Sequence, residues 1–489
     1  MKLLKQFPLF IVLIVLFFCL HGVSENYGYI SFYETIKTGS IILLVIIFVT
    51  TILYIFCKDL VYSSLIVFFA SLCYLFFGAI QDALKPYTFV NRYLFLLPLF
   101  FLLILVISFF FKNRKTLQFK VLLFLNLLLL IYCLYDGLMI IGKVVRQQAF
   151  TSQKISFNYS VVKNRPNVYF LLFDEYPGYK SLTDSFNFKN DNFYYSLKND
   201  SFCIQPIFSN YNKTPFSMSS ILNMQYISGI KNLLIIHQND LQLRSKEIKN
   251  AYVFDAFSQM GYALNNYSLF DVKNQESLGG NSFILGHSRL LTDKLLHNRL
   301  IKDLGWIFLS GKYASSLFQR IYYGDVKDYN EIVASNLDKI LLNKNSQPQF
   351  VYAHFLLPHQ PYFYDSTGKA NPLENLEDDK TLRNKAIFLS YLKYCNKKIL
   401  KIKKEIINND PSGIIILMSD HGFRYYNNNK NFDSLNFNNF CAIRNLKNNN
   451  ILINKISNVN IFRYIFNCNF NQRLPYLKDS ICVLKDLKR

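Results

Sequence analysis

Charge is scarce in this chain and unevenly signed. Of 489 residues, 18% are Asp, Glu, Lys or Arg, and 32 acids face 54 bases, a formal net charge of +22. With hydrophobic residues at 51%, that balance excludes a disordered or fibrous chain, which would lack the apolar surface to form a core. Internal repeats are absent. The nine cysteines form no CxxC and no zinc-type spacing. Five of them, Cys203, Cys395, Cys441, Cys468 and Cys482, fall after residue 160. That odd number leaves at least one unpaired and room for one or two disulfides. No nucleic-acid-binding motif appears, so nucleic acid is not an expected partner.

What is present divides near residue 150. Residues 1–160 hold 13 Lys/Arg and 5 Asp/Glu together with the long apolar runs, at about 7–23, 40–57, 61–80, 93–111 and 121–142. The last four approach the length a helix needs to cross a bilayer core. The first is shorter, and no A-x-A-like cleavage site follows it, so it is read as a retained helix and not a signal peptide. We therefore expect a transmembrane region of about five helices over 1–142, a linker over 143–164 and an exported domain over 165–489. Loop charge sets the orientation. With the N-terminus in the cytoplasm, inside segments carry Lys2, Lys5, Lys58, Lys112, Arg114, Lys115 and Lys120, against Lys37, Lys85 and Arg92 outside. The expected location is a bacterial-type plasma membrane, multi-pass, with the second part on the periplasmic or extracellular side.

That second part reads as α/β. Buried-strand runs VYFLLF (168–173), YALNNYS (262–268), FVYAHFL (350–356) and IIILMS (414–419) alternate with helical stretches, among them 381–409. The alternation predicts a mostly parallel sheet sandwiched by helices, with ligands at the carboxyl ends of the strands. Those ends carry Asp174-Glu175, His354, Pro358-His359-Gln360-Pro361 and Asp420-His421-Gly422. The loop SNYNK runs into a helix headed by Thr214, where unpaired backbone N–H groups favour an anion. Two acids, an imidazole and a hydroxyl brought together make a metal site with a nucleophile. Oxygen ligands with one imidazole suit a single divalent ion, manganese, magnesium or zinc. Such an ion would lower the pKa of the Thr214 hydroxyl and neutralise a phosphoryl or sulfuryl oxygen. The lysine-rich 393–406 reads as a solvated face or an anionic-headgroup contact, and the asparagine-rich 427–430 and 436–450 as polar loops.

On these motifs the chain resembles the sulfatase-like members of the alkaline phosphatase superfamily. Its layout is similar to the membrane enzymes that transfer phosphoethanolamine or phosphoglycerol (lipoteichoic acid synthase-like) onto envelope lipids and polymers. The resemblance implies roles residue by residue. NVYFLLFD supplies a metal carboxylate, Asp174; Thr214 is the nucleophile and a ligand; SDHG supplies Asp420 and His421; HFLLPHQPY supplies His354 and His359, which bind the transferred group or move the leaving-group proton. Lys213, Glu175 and Arg424 flank these motifs and are weaker candidates for contacting substrate.

The chain also departs from the sulfatase pattern. Aligning Ile221-Leu222-Asn223-Met224 with the sulfatase L-L-T-G puts Thr214 where the formylglycine precursor stands and Met218 where its arginine stands. No histidine follows His421, so one ion is expected and not two. The expected activity is a metal-dependent transferase or hydrolase of phosphate esters acting on envelope lipids or glycans. The alternatives are a sulfatase or phosphatase acting on exported glycans and, in another class, a non-catalytic membrane protein that binds envelope polymer.

Overall fold

The computed structural model describes residues 2–27, 30, 32–145, 155–231, 234–278, 287–309, 315–343, 347–372, 376, 384–424, 432–445 and 456–486. Of the sequence expectations, the linker at 146–154, the helix start at 381–383 and the asparagine-rich 427–430 and 446–450 lie outside the described residues. The chain forms two compact units. One comprises Met1–Ala149 with Ile284–Phe308, the other Phe150–Phe283 with Leu309–Arg489.

The first unit is helical. Its N-terminal helices are α1 (Lys2–Gln6), α2 (Phe10–Glu25), α3 (Phe32–Cys57), α4 (Leu60–Leu75), α5 (Phe77–Ala83), α6 (Tyr93–Phe111) and α7 (Lys115–Val145). Apolar runs with no polar period become helices because only a helix satisfies every backbone group within itself. By length and composition α3, α6 and α7 can cross a membrane, and α4 with α5, bent by 56°, passes the same test as a pair. The run expected at 7–23 is broken at Pro8, and α2 has only 16 residues. Buried Asn126 of α7 ties that break down: it accepts from the Phe10 amide at 2.6 Å and donates to the Leu4 and Phe7 carbonyls, each at 2.9 Å. Inward, Phe10, Ile14, Leu65, Phe68 and Leu122 form one cluster; outward, Phe48, Leu94 and Phe109 are exposed.

Residues from much later in the chain complete this unit. Leu291 and Leu295, from the segment with helices His287–Thr292 and Leu296–Leu304, join the same cluster. The Gly78 amide donates to the Lys294 carbonyl at 2.8 Å, Arg299 meets Asp82 at 2.7 Å, and Tyr93 donates to Asp303 at 2.6 Å. A side chain at Gly78 would stand 2.7 Å from the Lys294 Cα.

The second unit is α/β. Among the described residues there are ten strands: β1 (Val168–Phe173), β2 (Phe202–Ile204), β3 (Ile207–Phe208), β4 (Leu234–Ile236), β5 (Ala263–Tyr267), β6 (Gln349–Phe355), β7 (Ile414–Met418), β8 (Asn438–Asn439), β9 (Cys441–Arg444) and β10 (Leu484–Asp486). The main sheet has the order β2-β9-β7-β1-β6-β5. β7, β1, β6 and β5 are parallel, while β9 adds antiparallel to β7 and the edge strand β2 pairs antiparallel with β9. Parallel neighbours need long crossovers. Helix Ser316–Leu342 lies in the β5–β6 crossover, and Lys385–Asn409 in the β6–β7 crossover. β1, β6 and β7 are buried at every position, as expected for central strands covered on both faces.

Two sequence expectations change and one holds. The stretch 436–445 is not simply a polar loop, since it contains β8 and β9; buried Cys441–Arg444 pairs with both β7 and β2. The lysine-rich face of 393–406 is solvated, with Lys393, Lys397, Lys401 and Lys404 exposed; Lys403 alone turns inward, buried on Asp200 and Ser196. All nine cysteines are free thiols.

Candidate active site

Strand register sets the level of the site. Leu172 of β1 lies opposite His354 of β6 and Met418 of β7. Two residues further on, β1 and its neighbour β7 deliver Asp174 and Asp420 at the same height. The Asp174 amide donates to the Phe355 carbonyl at 2.9 Å, holding the end of β1 against β6. Thr214 is the first residue of helix Thr214–Asn223, with Pro215 behind it and extended Lys213 as the N-cap. Proline suits that start because it brings no N–H that the helix would leave unpaired.

The hydroxyl of Thr214 does not cap its helix. It stands 3.2 Å from His421 Nε2. His421 Nδ1 lies 2.7 Å from the Gly422 carbonyl, which assigns the ring proton to Nδ1 and leaves the Nε2 lone pair facing inward. Nε2 is 3.1 Å from Asp420 Oδ2 and 3.9 Å from Asp174 Oδ1. Buried His354 has Nε2 3.7 Å from Asp174 Oδ2. Ligand atoms of Asp174, Asp420 and His421 all fall within 4.8 Å of one another.

These residues fit a cation. Asp174 Oδ1, Asp420 Oδ2 and His354 Nε2 are buried and have no hydrogen-bond partner among the described residues. Orphaned buried acceptors are costly. Here acceptor also faces acceptor, since a His421 Nε2 without a proton looks at a carboxylate oxygen. A shared positive ion resolves both problems. The titration pattern has the same origin. Burial, and then the Asp174 charge, push Asp420 up to about 6. Burial would raise Asp174 too, but His359, His354 and His421 outweigh it and hold that carboxyl well below its usual range. Burial and Arg424 push His421 down to about 3, which keeps its imidazole neutral, the form that binds metals.

Backbone groups and neighbours brace the cage. The Glu175 amide donates to Asp420 Oδ1 at 3.1 Å, from a residue at positive φ (65°). Ser217 Oγ donates to the Asp420 carbonyl at 2.6 Å, and Asn458 Nδ2 donates to the same oxygen at 2.9 Å. Asn439 holds the Ser419 carbonyl at 2.6 Å. Gly422 is needed because a Cβ there would stand 1.9 Å from the Leu435 carbonyl oxygen.

The flanking candidates fall into a second group. Glu175 is buried and its carboxylate accepts from the Arg424 amide at 2.6 Å and from Arg424 Nε at 3.3 Å. Arg424 Nη2 reaches His359 Nε2 at 3.3 Å. His359 Nδ1 donates to the Gln360 carbonyl at 2.6 Å, so its Nε2 is the acceptor. Arg424, His359 and Glu175 are thus one linked cluster, while Lys213 sits at the N-cap before Thr214. Sequence reasoning missed Asn458 and Asn439, which carry no local motif. Ser217, one turn into the Thr214 helix, has its hydroxyl committed to the Asp420 carbonyl.

The family model described as Sulfatase matches residues 191–442, just over half of the chain. That stretch contains Thr214, His354, His359, Asp420, His421 and Arg424; Asp174 precedes it. Among solved structures, the chain is similar to the C-terminal periplasmic domain of EcEptC from Escherichia coli in complex with Zn, at 12% identity over 64% of this chain and 84% of that one, with a TM-score of 0.38. It is also similar to the soluble domain of lipooligosaccharide phosphoethanolamine transferase A from Neisseria meningitidis, at 11% identity over 63% and 90%, with a TM-score of 0.37. A third is the phosphonate monoester hydrolase of Agrobacterium radiobacter, at 12% identity over 62% and 73%, with a TM-score of 0.38. No curated protein matches the chain.

Proposed function

The chain belongs to the sulfatase family, and from that premise we propose that it is a membrane-anchored, metal-dependent transferase or hydrolase of phosphate esters, acting on envelope lipids or glycans through Thr214. The observation that carries this reading is the Thr214 hydroxyl, 3.2 Å from the unprotonated Nε2 of His421 at a buried cage whose acceptors lack partners. Asp174, Asp420, His421 and the Thr214 oxygen would hold one divalent ion. Bound there, it would supply the charge that favours the Thr214 alkoxide and offsets charge on the transferred group.

The chain's own groups then divide the work. Thr214 Oγ gives up its proton and forms a bond to phosphorus as the bond from phosphorus to the leaving oxygen breaks, and that oxygen takes up the proton and departs as an alcohol. The first-turn backbone N–H groups face the oxygens of the group being transferred. His359 and Arg424, joined at 3.3 Å, bind those oxygens, and Glu175 holds the guanidinium in place from behind. His354 lies beside Asp174 and lines the same cage. In the second half, an acceptor alcohol attacks the phospho-threonine and Thr214 recovers its proton; with water as acceptor the same steps make a hydrolase. A threonine has no route to formylglycine, so the geometry favours phosphoryl over sulfuryl transfer.

Intact-mass analysis with a nitrophenyl phosphate should show a covalent adduct on the wild-type protein, mapping to Thr214. Thr214→Ala should lose the adduct and several orders of magnitude in turnover, while Thr214→Ser keeps some of both. A nitrophenyl sulfate should give neither. An active Thr214→Ala variant, or an adduct on Ser217, would sink the assignment.

A further inference from the structure

A second cavity lies wholly within the helical unit. It is a groove of about 600 Å3 between α3 and α4. Its walls are Ile42, Val45 and Val49 on one helix and Val67 and Ala70 on the other. These positions recur at helical spacing, so each helix turns one apolar stripe to the groove. The lining changes character along its length. Its polar members are Thr38, Ser71, Tyr74, Thr292 and His297. All lie toward the end where α3 begins and α4 finishes, and the returning segment closes that end. Tyr74 Oη and His297 Nδ1 are 2.8 Å apart there. Arg299 and Lys302 of that segment are paired with acids, whereas Lys294, between the lining residues Thr292 and Leu295, is exposed.

We propose that this groove holds one acyl chain of a phospholipid, with the lipid's phosphate at Lys294. The inference rests on the reading that α3 and α4 cross a membrane, and four observations carry it. Within a bilayer, what surrounds such helices is hydrocarbon, so an apolar groove between them is filled by a chain and not by water. From Thr38 to Val49 the lining runs for about 16 Å at 1.5 Å per residue, close to half of a hydrocarbon core of about 30 Å, the depth of one leaflet. The polar groups lie at one end only, matching the change from chain to ester to headgroup. Lys294, exposed and next in the chain to the lining residue Leu295, is a base beside that end that complements an anionic phosphate. Ordinary boundary lipid has no such features; exposed Phe109 of α6 stands for that background.

The test uses the full-length protein in lipid nanodiscs containing phosphatidylglycerol with a diazirine at mid-chain. After irradiation, labelled peptides should concentrate on 42–49 and 67–74. Ala70→Trp and Val45→Trp, one from each wall, should each lower that labelling by about tenfold while labelling around Phe109 stays unchanged. Lys294→Glu should lower retention of phosphatidylglycerol more than that of phosphatidylcholine. Equal labelling of groove and Phe109 surface, unmoved by both tryptophans, would overturn the groove while leaving the membrane reading intact. Absence of labelling at Phe109 as well would overturn both.

Discussion

Asp420 is held from two sides: its carboxylate faces the cage, and its carbonyl oxygen accepts from Ser217 and Asn458. This separates two kinds of substitution. Asp420→Asn and His421→Ala remove ligand character directly, so each should strip most bound metal and lower turnover by orders of magnitude. Metal analysis of protein whose circular dichroism is unchanged checks this, and full occupancy in both variants would refute the cage. Asn458→Ala leaves every ligand in place and loosens the residue that presents one. Metal affinity should fall by about 10–100-fold, the usual effect of a lost outer partner, with a stability cost of about 1–3 kcal/mol for the emptied hydrogen bond. A metal titration beside a denaturation curve separates the two effects; unchanged affinity would make Asn458 purely structural.

Among the elements, those that place the candidate ligands were legible because each is local. VYFLLF, FVYAHFL and IIILMS are apolar runs rich in β-formers, and the candidate residues Asp174, His354 and Asp420 stand at or just past their ends. The start of the Thr214 helix was legible as a polar loop giving way to an apolar pattern. β8 was not, since asparagine disfavours strands, and β9 was masked by the asparagines around it; strands of two and four residues form only because partners are waiting. Asn458 was invisible for a related reason: it acts on a residue 38 positions away. The return of 287–304 onto the helical unit was equally hidden, because Leu296–Leu304 has the pattern of any surface amphipathic helix. Gly78 tests that return. In Gly78→Ala the new methyl would meet the Lys294 backbone at 2.7 Å, a clash worth about 1–3 kcal/mol. Hydrogen exchange across 287–304 should speed up while α2 and α7 stay protected; no change would show the contact to be loose.

For the molecule as a whole, the helical unit has two dissimilar ends. At one, α3 finishes, α4 begins, and the short α6–α7 connection brings Lys112, Arg114 and Lys115, with Lys115 bonded to Asp59. At the other lie Gly22, Gly78, Asp82 and Tyr93, covered by the segment that contains Leu291 and Arg299. If the basic end is cytoplasmic, the covered end faces out. A phosphatase reporter fused after residue 160 should then be active and one fused after residue 115 inactive; the reverse would end the exported-enzyme reading. The covering segment has a further consequence, in time. The ribosome adds about 145 residues between Val145 and Leu291, which takes roughly 7–30 s at about 5–20 residues per second. Through that interval the bundle is inserted but unroofed, so newborn chains should be open to a chaperone or a protease at Gly22 and Gly78, and finished ones closed.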